Sequence, residues 1–312
     1  MMRGLSTAPA VVSRPCRDEL DRSRIRSLLV ETQLLVQPGT NWDIRRWDGW
    51  LFHREVPMSD AELAGVVELW ETSDGRLLGA VHPEAPGEAW IELHPDWRHL
   101  EATMLDWAEG HLSIASTQGS RTLALFLGDD DVARRRLLAS RGYEVAESGG
   151  WLRQLRFGHA VAVAGSLPEA YRLRQTRPGD DDCARMADLL NAAFGRTVHT
   201  AREYRTFVER SPSFEHALNL VAIAPDGSFA AHVGLTIDAA NRHGLVEPVC
   251  THPDHQRLGL ARTLLGEGLR RLGARGVRTA SLDTGDGEAA NALYVACGFT
   301  EAYHGHVWRR VW

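Results

Sequence analysis

Four cysteines in 312 residues, Cys16, Cys183, Cys250 and Cys297, stand far apart and form no CxxC pair, so neither a disulfide scaffold nor a zinc site is indicated. No apolar run approaches the ~18 residues that a membrane span needs. The first 17 residues have no sustained hydrophobic segment of the signal-peptide kind. A positive balance is missing too: the formal net charge is −6, which argues against a general nucleic-acid binder. These absences fit a reducing cytoplasm and a disordered leader over residues 1–17. What remains is ordinary for a globular chain, 44% apolar and 24% charged, enough to bury a sizeable core. At ~150 residues per domain, the length suggests two domains.

An internal repeat supports that division. "IELHPDWRHLEATMLDWAEGHL" (Ile91–Leu112) resembles "VCTHPDHQRLGLARTLLGEGLRRL" (Val249–Leu272), and "DDDVARRRLLASRGYEV" (Asp129–Val145) parallels "GDGEAANALYVACGFTEA" (Gly285–Ala302). His94 then matches His252, and Gly142 matches Gly298, at a spacing of roughly 157 residues in both cases. Upstream, Asp74-Gly75 and Asp226-Gly227 each predict a hairpin turn. The expected organisation is a leader (1–17), a first domain (18–158), a linker rich in small residues (159–170) and a second domain (171–312).

In the second half, "YRLRQT" alternates as a strand and "DDDCARMADLLNAAF" predicts a helix with Cys183, Met186, Ala187, Leu190 and Phe194 on one face. Two strands flank Pro225-Asp226-Gly227, and "HGLVEPVCT" is another. A helix opening within Thr251–Leu265, with its N-terminus read over Gln256 to Arg262, the strand "RTASLDT", the helix "EAANALYVACG" and closing strands follow. Strand, helix, strand, helix, strand after antiparallel strands gives an α/β class with a mixed sheet.

The stretch "THPDHQRLGLARTLL" (Thr251–Leu265) places Arg257 and Arg262 at a helix start, where the dipole disfavours each by about 0.3–1 kcal/mol. Gly259 leaves the backbone open to close approach. An anion bound to the free N–H groups reverses the sign, so a pyrophosphate would use backbone, dipole and arginines together. The alternative is a pair of solvated surface arginines ahead of a core helix.

Gln256-Arg257-Leu258-Gly259-Leu260-Ala261 between a strand and a helix, followed by "NALYVACGF" (Asn291–Phe299), resembles the GCN5-related N-acetyltransferase (GNAT) superfamily and its (Gln/Arg)-x-x-Gly-x-(Gly/Ala) loop. The resemblance covers the second half well and the first half weakly. It implies two tandem GNAT-like domains, each a mixed, mostly antiparallel sheet flanked by helices, in a layout similar to tandem members of the mycothiol synthase type. It also implies acetyl-CoA, or another acyl-CoA, as co-substrate. The backbone of Val249, Cys250 and Thr251 would lie along the pantetheine arm, the N–H groups of Leu258 to Arg262 would hold the pyrophosphate, and Asn291 would contact the pantetheine.

Tyr294 falls where such enzymes protonate the departing thiolate, and a phenol with a pKa of about 10 suits that task. Its bland reading is a half-buried aromatic. Glu247 is the candidate base, because a carboxylate in an apolar strand is costly unless it faces a wet cleft; otherwise it is an edge-strand glutamate beside Pro248. The backbone N–H of Val249 is the candidate oxyanion donor. His199, His216, His304 and His306 are candidates for the acceptor side, and Trp42, Trp47 and Trp50 for core or interface.

No metal is expected. His252, His255 and Cys250 match no common zinc spacing, and "DTGDGE" (Asp283–Glu288) lacks the acidic positions of a calcium loop. In the first half Glu101 stands near the matching helix start and Leu138 matches Tyr294, so that domain is expected to keep the fold without cofactor or catalysis. The function expected is acetyl transfer to a primary amine of a small molecule within a ternary complex. The alternative is a non-catalytic acyl-CoA-binding regulator. No residue pattern specifies the acceptor or the oligomeric state.

Overall fold

A computed structural model of the chain describes residues 10–115, 119–158 and 165–312. Part of the expected leader (1–9) and part of the expected linker (159–164) lie outside the described residues. In chain order the elements are β1 (Val11–Pro15), α1 (Glu19–Thr32), α2 (Ile44–Phe52), α3 (Asp60–Val66), β2 (Glu68–Thr72), β3 (Leu77–His82), β4 (Glu88–Leu93), α4 (Glu101–His111), β5 (Ile114–Ala115), β6 (Arg121–Gly128), α5 (Val132–Ser140) and β7 (Glu144–Arg156). There follow β8 (Arg172–Gln175), α6 (Asp180–Phe194), α7 (Ala201–Arg210), β9 (Asn219–Ile223), β10 (Phe229–Asp238), β11 (His243–Thr251), α8 (Leu260–Ala274), β12 (Thr279–Thr284), α9 (Glu288–Ala296) and β13 (Glu301–Val311). Among the described residues no helix is long and apolar enough to cross a membrane.

The chain forms two compact units that follow no single cut. Unit one holds the chain up to Trp42, Met58–Gly149 and Gly305–Trp312; unit two holds Asp43–Pro57 and Gly150–His304. Three segments account for this. The end of β13 pairs with β6 in unit one, residues 151–156 of β7 pair with β12 in unit two, and α2 packs on α7 in unit two. Val11–Pro15, inside the expected leader, form a strand against β2, where every residue from Val11 to Pro15 has a register partner.

The sheets repeat one plan. Unit one runs β1-β2-β3-β4-β6-β13 and unit two runs β8-β9-β10-β11-β12-β7, each antiparallel except for one parallel pair, β4 with β6 and β11 with β12. Hairpin turns close at Gly75 and Gly227, both with positive φ. In unit two, Leu260, Leu264, Leu265, Leu269 and Leu272 recur at helical spacing and are buried against Ala231, Val233 and Leu235 of β10. On α6 the expected face is buried over Cys183, Met186, Ala187 and Leu190, but Phe194 is exposed, because it is the last helical residue before the left-handed Gly195.

Candidate active site

The site starts where two strands part. β11 and β12 pair from His243–Thr279 to Leu245–Ser281 and then separate, whereas β10 stays with β11 as far as Thr251. The edge from Val246 to Thr251 therefore has no strand partner on the β12 side. Val249, Cys250 and Thr251 lie on this edge, followed by a single turn (Pro253–His255) in which His252 Nδ1 accepts from the Asp254 N–H at 3.2 Å.

The loop then enters α8 without a side-chain cap. Gly259 sits in the left-handed region at φ 74°, which favours glycine, and an added Cβ there would meet nothing within 4 Å. The space beside this backbone is open. Arg257 is also left-handed (φ 62°), and Gln256, Arg257, Leu258 and Arg262 are all exposed. The N–H groups of Leu260, Ala261 and Arg262 precede the first intrahelical acceptor turn, so this end of α8 presents free donors and positive charge together. Tyr171 braces the turn, its hydroxyl 2.9 Å from His255 Nδ1.

Tyr294, on α9, is 7% exposed, and its hydroxyl makes no hydrogen bond among the described residues. Burial, and then Cys250 and Cys297, push it up to about 12, so it is a proton donor at neutral pH. Burial likewise pushes the Cys250 thiol up to about 12, which leaves it inert. Asn291 is engaged within the protein: its amide donates to the Gly285 carbonyl at 2.8 Å and the Gly287 carbonyl at 2.9 Å, and accepts from Arg153 Nε at 2.7 Å. It fastens the turn ahead of α9.

Glu247 is exposed on β11 and lines a cleft with Leu245, Val246, Ser281, Asp283 and Asp43. Asp43 was not singled out by the sequence. It caps α2, accepting from the Arg45 and Arg46 N–H groups at 2.8 and 2.9 Å. Burial, reinforced by the charge of Glu247, pushes its carboxyl up to about 7. Two carboxylates thus share a cleft in which one holds its proton near neutrality. An Asp before an amphipathic helix is an N-cap signal, but nothing in the sequence joins residue 43 to residue 247.

A second network of unit two likewise has no signal in the sequence. Glu203 of α7 is buried and accepts from His53 Nδ1 at 2.8 Å and His199 Nδ1 at 3.0 Å. Burial opposes its ionisation, yet the hydrogen bonds from His199 and His53 overcome it and hold the carboxyl at about 2. His53 stacks on Phe207, ring centroids 4.0 Å apart. Of the four candidate histidines, His199 therefore orients Glu203. His216 bonds Thr176 at 2.9 Å, His304 rests on the Trp151 ring, and His306 belongs to unit one, 2.7 Å from Asp129. Trp42 and Trp47 are buried, and Trp50 stacks on Trp47.

Unit one closes the equivalent helix start with its own atoms. Glu101, at the first position of α4, is buried and accepts from Arg134 Nε in a short contact and from Arg98 at 3.1 Å. Arg134 also donates to the Ile91 carbonyl at 3.2 Å, and Arg98 pairs with Asp131 at 2.7 Å. Glu101, which stands near the helix start as the sequence shows, is paired within unit one. Leu138, the counterpart of Tyr294, is fully buried in the core.

The acetyltransferase (GNAT) family model matches residues 183–299. A mycothiol acetyltransferase of Sanguibacter keddieii is 32% identical over 237 residues, covering 70% of this chain and 73% of that protein. One from Streptomyces bingchenggensis is 32% identical over 145 residues, 43% of this chain and 44% of that one. Among solved structures, a GCN5-related N-acetyltransferase from Sphaerobacter thermophilus covers 96% of this chain and 95% of its own, with TM-score 0.65 at 19% identity. A tandem GNAT protein from the clavulanic acid biosynthesis pathway covers 97% and 98%, with TM-score 0.64 at 17% identity. The chain belongs to the GCN5-related N-acetyltransferase family and is an N-acetyltransferase.

Proposed function

We propose that unit two transfers the acetyl group of acetyl-CoA to a primary amine of a small molecule, by direct attack with both substrates bound. The observation that carries this reading is the uncapped start of α8, with left-handed Arg257 and Gly259, at the end of a strand that has parted from its neighbour. The N–H groups of Leu258 to Arg262 would bind the pyrophosphate, and Gln256, Arg257 and Arg262 would flank it. Val249, Cys250 and Thr251 would align the pantetheine in the parted edge, with Asn291 shaping the turn opposite.

Glu247 takes the proton of the incoming ammonium, with Asp43 beside it in the same cleft. The free amine forms its bond to the acetyl carbon, the Val249 N–H stabilises the oxyanion, and the C–S bond breaks as Tyr294 passes its proton to the thiolate and recovers one from the amide nitrogen. Unit one serves as support, without a cofactor of its own. The name of the curated relatives makes a mycothiol-related amine the first acceptor to assay.

The test is acetyl-CoA consumption by the full chain over a panel of amines, with Tyr294→Phe alongside. An enzyme shows turnover that falls in the variant while acetyl-CoA affinity holds. Acetyl-CoA binding with no turnover of any amine would leave the non-catalytic regulator as the better reading.

A further inference from the structure

Arg45 is the unexplained charge of unit two. It is 6% exposed, and it forms no ion pair among the described residues. One guanidinium nitrogen reaches His53 Nε2 at 3.4 Å, a marginal hydrogen bond. The plane lies over the Phe207 ring at 4.4 Å. Gly49, one turn along α2, leaves room for it, since a Cβ there would stand 2.6 Å from a guanidinium nitrogen. A guanidinium carries five N–H donors, and burying one costs far more than a single long bond and one ring face return.

Its surroundings are arranged for a missing partner. The Tyr204 hydroxyl and His232 Nδ1 are both buried without a hydrogen-bond partner, and the charge of Arg45 acts on each. His53 is fixed by Glu203, so it stays aligned beside Arg45. The acceptor cleft involves the N-cap of the same helix. Asp43, two residues before Arg45, lines it with Glu247, and the charge of Glu247 acts on His53.

We propose that Arg45, with the unpartnered Tyr204 hydroxyl as a further donor, binds a carboxylate of the acceptor, so that the amine acetylated at Glu247 belongs to a molecule bearing both an amine and a carboxylate, as an amino acid does. This rests on the amine-acetylating reading of unit two and narrows its substrate class. A guanidinium offers the parallel pair of donors that fits a carboxylate, and one positive charge matches one negative charge. A phosphate dianion would carry its second charge toward Asp43 and Glu247 unmatched. Ammonium toward Glu247 and Asp43, carboxylate toward Arg45, sets the orientation of the acceptor as well as its affinity.

The experiment uses the full chain with saturating acetyl-CoA, after titration has established that acetyl-CoA binds. L-Alanine, L-cysteine, L-glutamate and L-lysine are each compared with their own primary carboxamide. The amide has the less basic amine and thus more of the reactive neutral form, so amine basicity cannot create a preference for the acid. The wild type is expected to favour at least one free acid by at least about tenfold in kcat/KM. Arg45→Met removes that preference through KM while acetyl-CoA affinity stays unchanged, and Tyr204→Phe weakens it by less. Arg45→Lys retains part of it, and the wild-type pairs decide the matter even if Arg45→Met does not fold. Amides used as well as acids, a preference that survives Arg45→Met, or acetyl-CoA binding with none of the acids acetylated would overturn the proposal. Failure to bind acetyl-CoA at all would sink the underlying reading instead.

Discussion

The two units build the same sheet order and the same strand-to-helix turn, and differ in what fills the helix start. In unit two the N-terminus of α8 is open, with Gly259 left-handed and two exposed arginines nearby. In unit one the start of α4 is occupied by the buried carboxylate of Glu101, clamped by Arg134 and Arg98. Both solutions place a negative charge at the positive end of a helix. On the proposed reading one receives it from the co-substrate, whereas the other supplies it internally through Glu101. One helix later the counterparts differ in chemistry rather than burial: Tyr294 is a buried phenol and Leu138 a core aliphatic.

The comparison can be broken first at the brace. Arg134→Met leaves Glu101 buried without its main partner and is expected to destabilise unit one by about 3–5 kcal/mol, with Arg134→Met/Glu101→Leu recovering most of it. Denaturant unfolding of the three proteins checks this, and equal losses in the single and double variants would contradict it. Next is the open helix start. Gly259→Glu copies the charge of unit one without its arginine partner, forces a non-glycine residue to a positive φ, and is expected to weaken acetyl-CoA binding by about 100-fold or more. Calorimetry measures it directly.

A smaller effect is expected at the proposed proton donor. Tyr294→Phe should lower kcat by about 100-fold with acetyl-CoA affinity unchanged, at the low end of general acid contributions; a parallel loss of affinity would mean that the ring acts by packing. The last test is a pH slope. Asp43 is raised in the folded chain from 3.8 to about 7, so the folded state holds that proton more tightly than the unfolded chain. Its contribution to stability is complete below about pH 4 and is lost as pH rises through about 7. Asp43→Asn, which keeps a helix-capping side chain, should therefore lose less stability than the wild type between these limits. Thermal melts at pH 4.5 and 7.5 compare the two, and an unchanged difference would show that Asp43 is ionised throughout.

Much of unit two was legible because its signals are local. The turn at Gly227, the alternation of β8, the leucine spacing of α8 and the glycine that ends α9 depend on neighbours a few residues away. The loop from Gln256 to Ala261 was legible for the same reason, since its demands on backbone and charge fall within one turn. What escaped depends on distant partners. The pairing of β13 with β6 and of β7 with β12 is not written in either strand's own alternation, which would suit any open edge. Asp43, Arg45 and His53 reach Glu247, Glu203 and Phe207 across some 150 to 200 residues of chain, and none carries a motif. Val11–Pro15 lacks a sustained apolar run because its burial is partial, so composition alone suggested a leader.

The central claim is that one unit binds the co-substrate and the other has filled that place with its own ion pair. Calorimetric titration of the full chain with acetyl-CoA, beside Gly259→Glu and Glu101→Gln, tests it most directly. The expected result is one site per chain, lost in Gly259→Glu and retained in Glu101→Gln. Two sites per chain, or a single site that survives Gly259→Glu and disappears in Glu101→Gln, would contradict it.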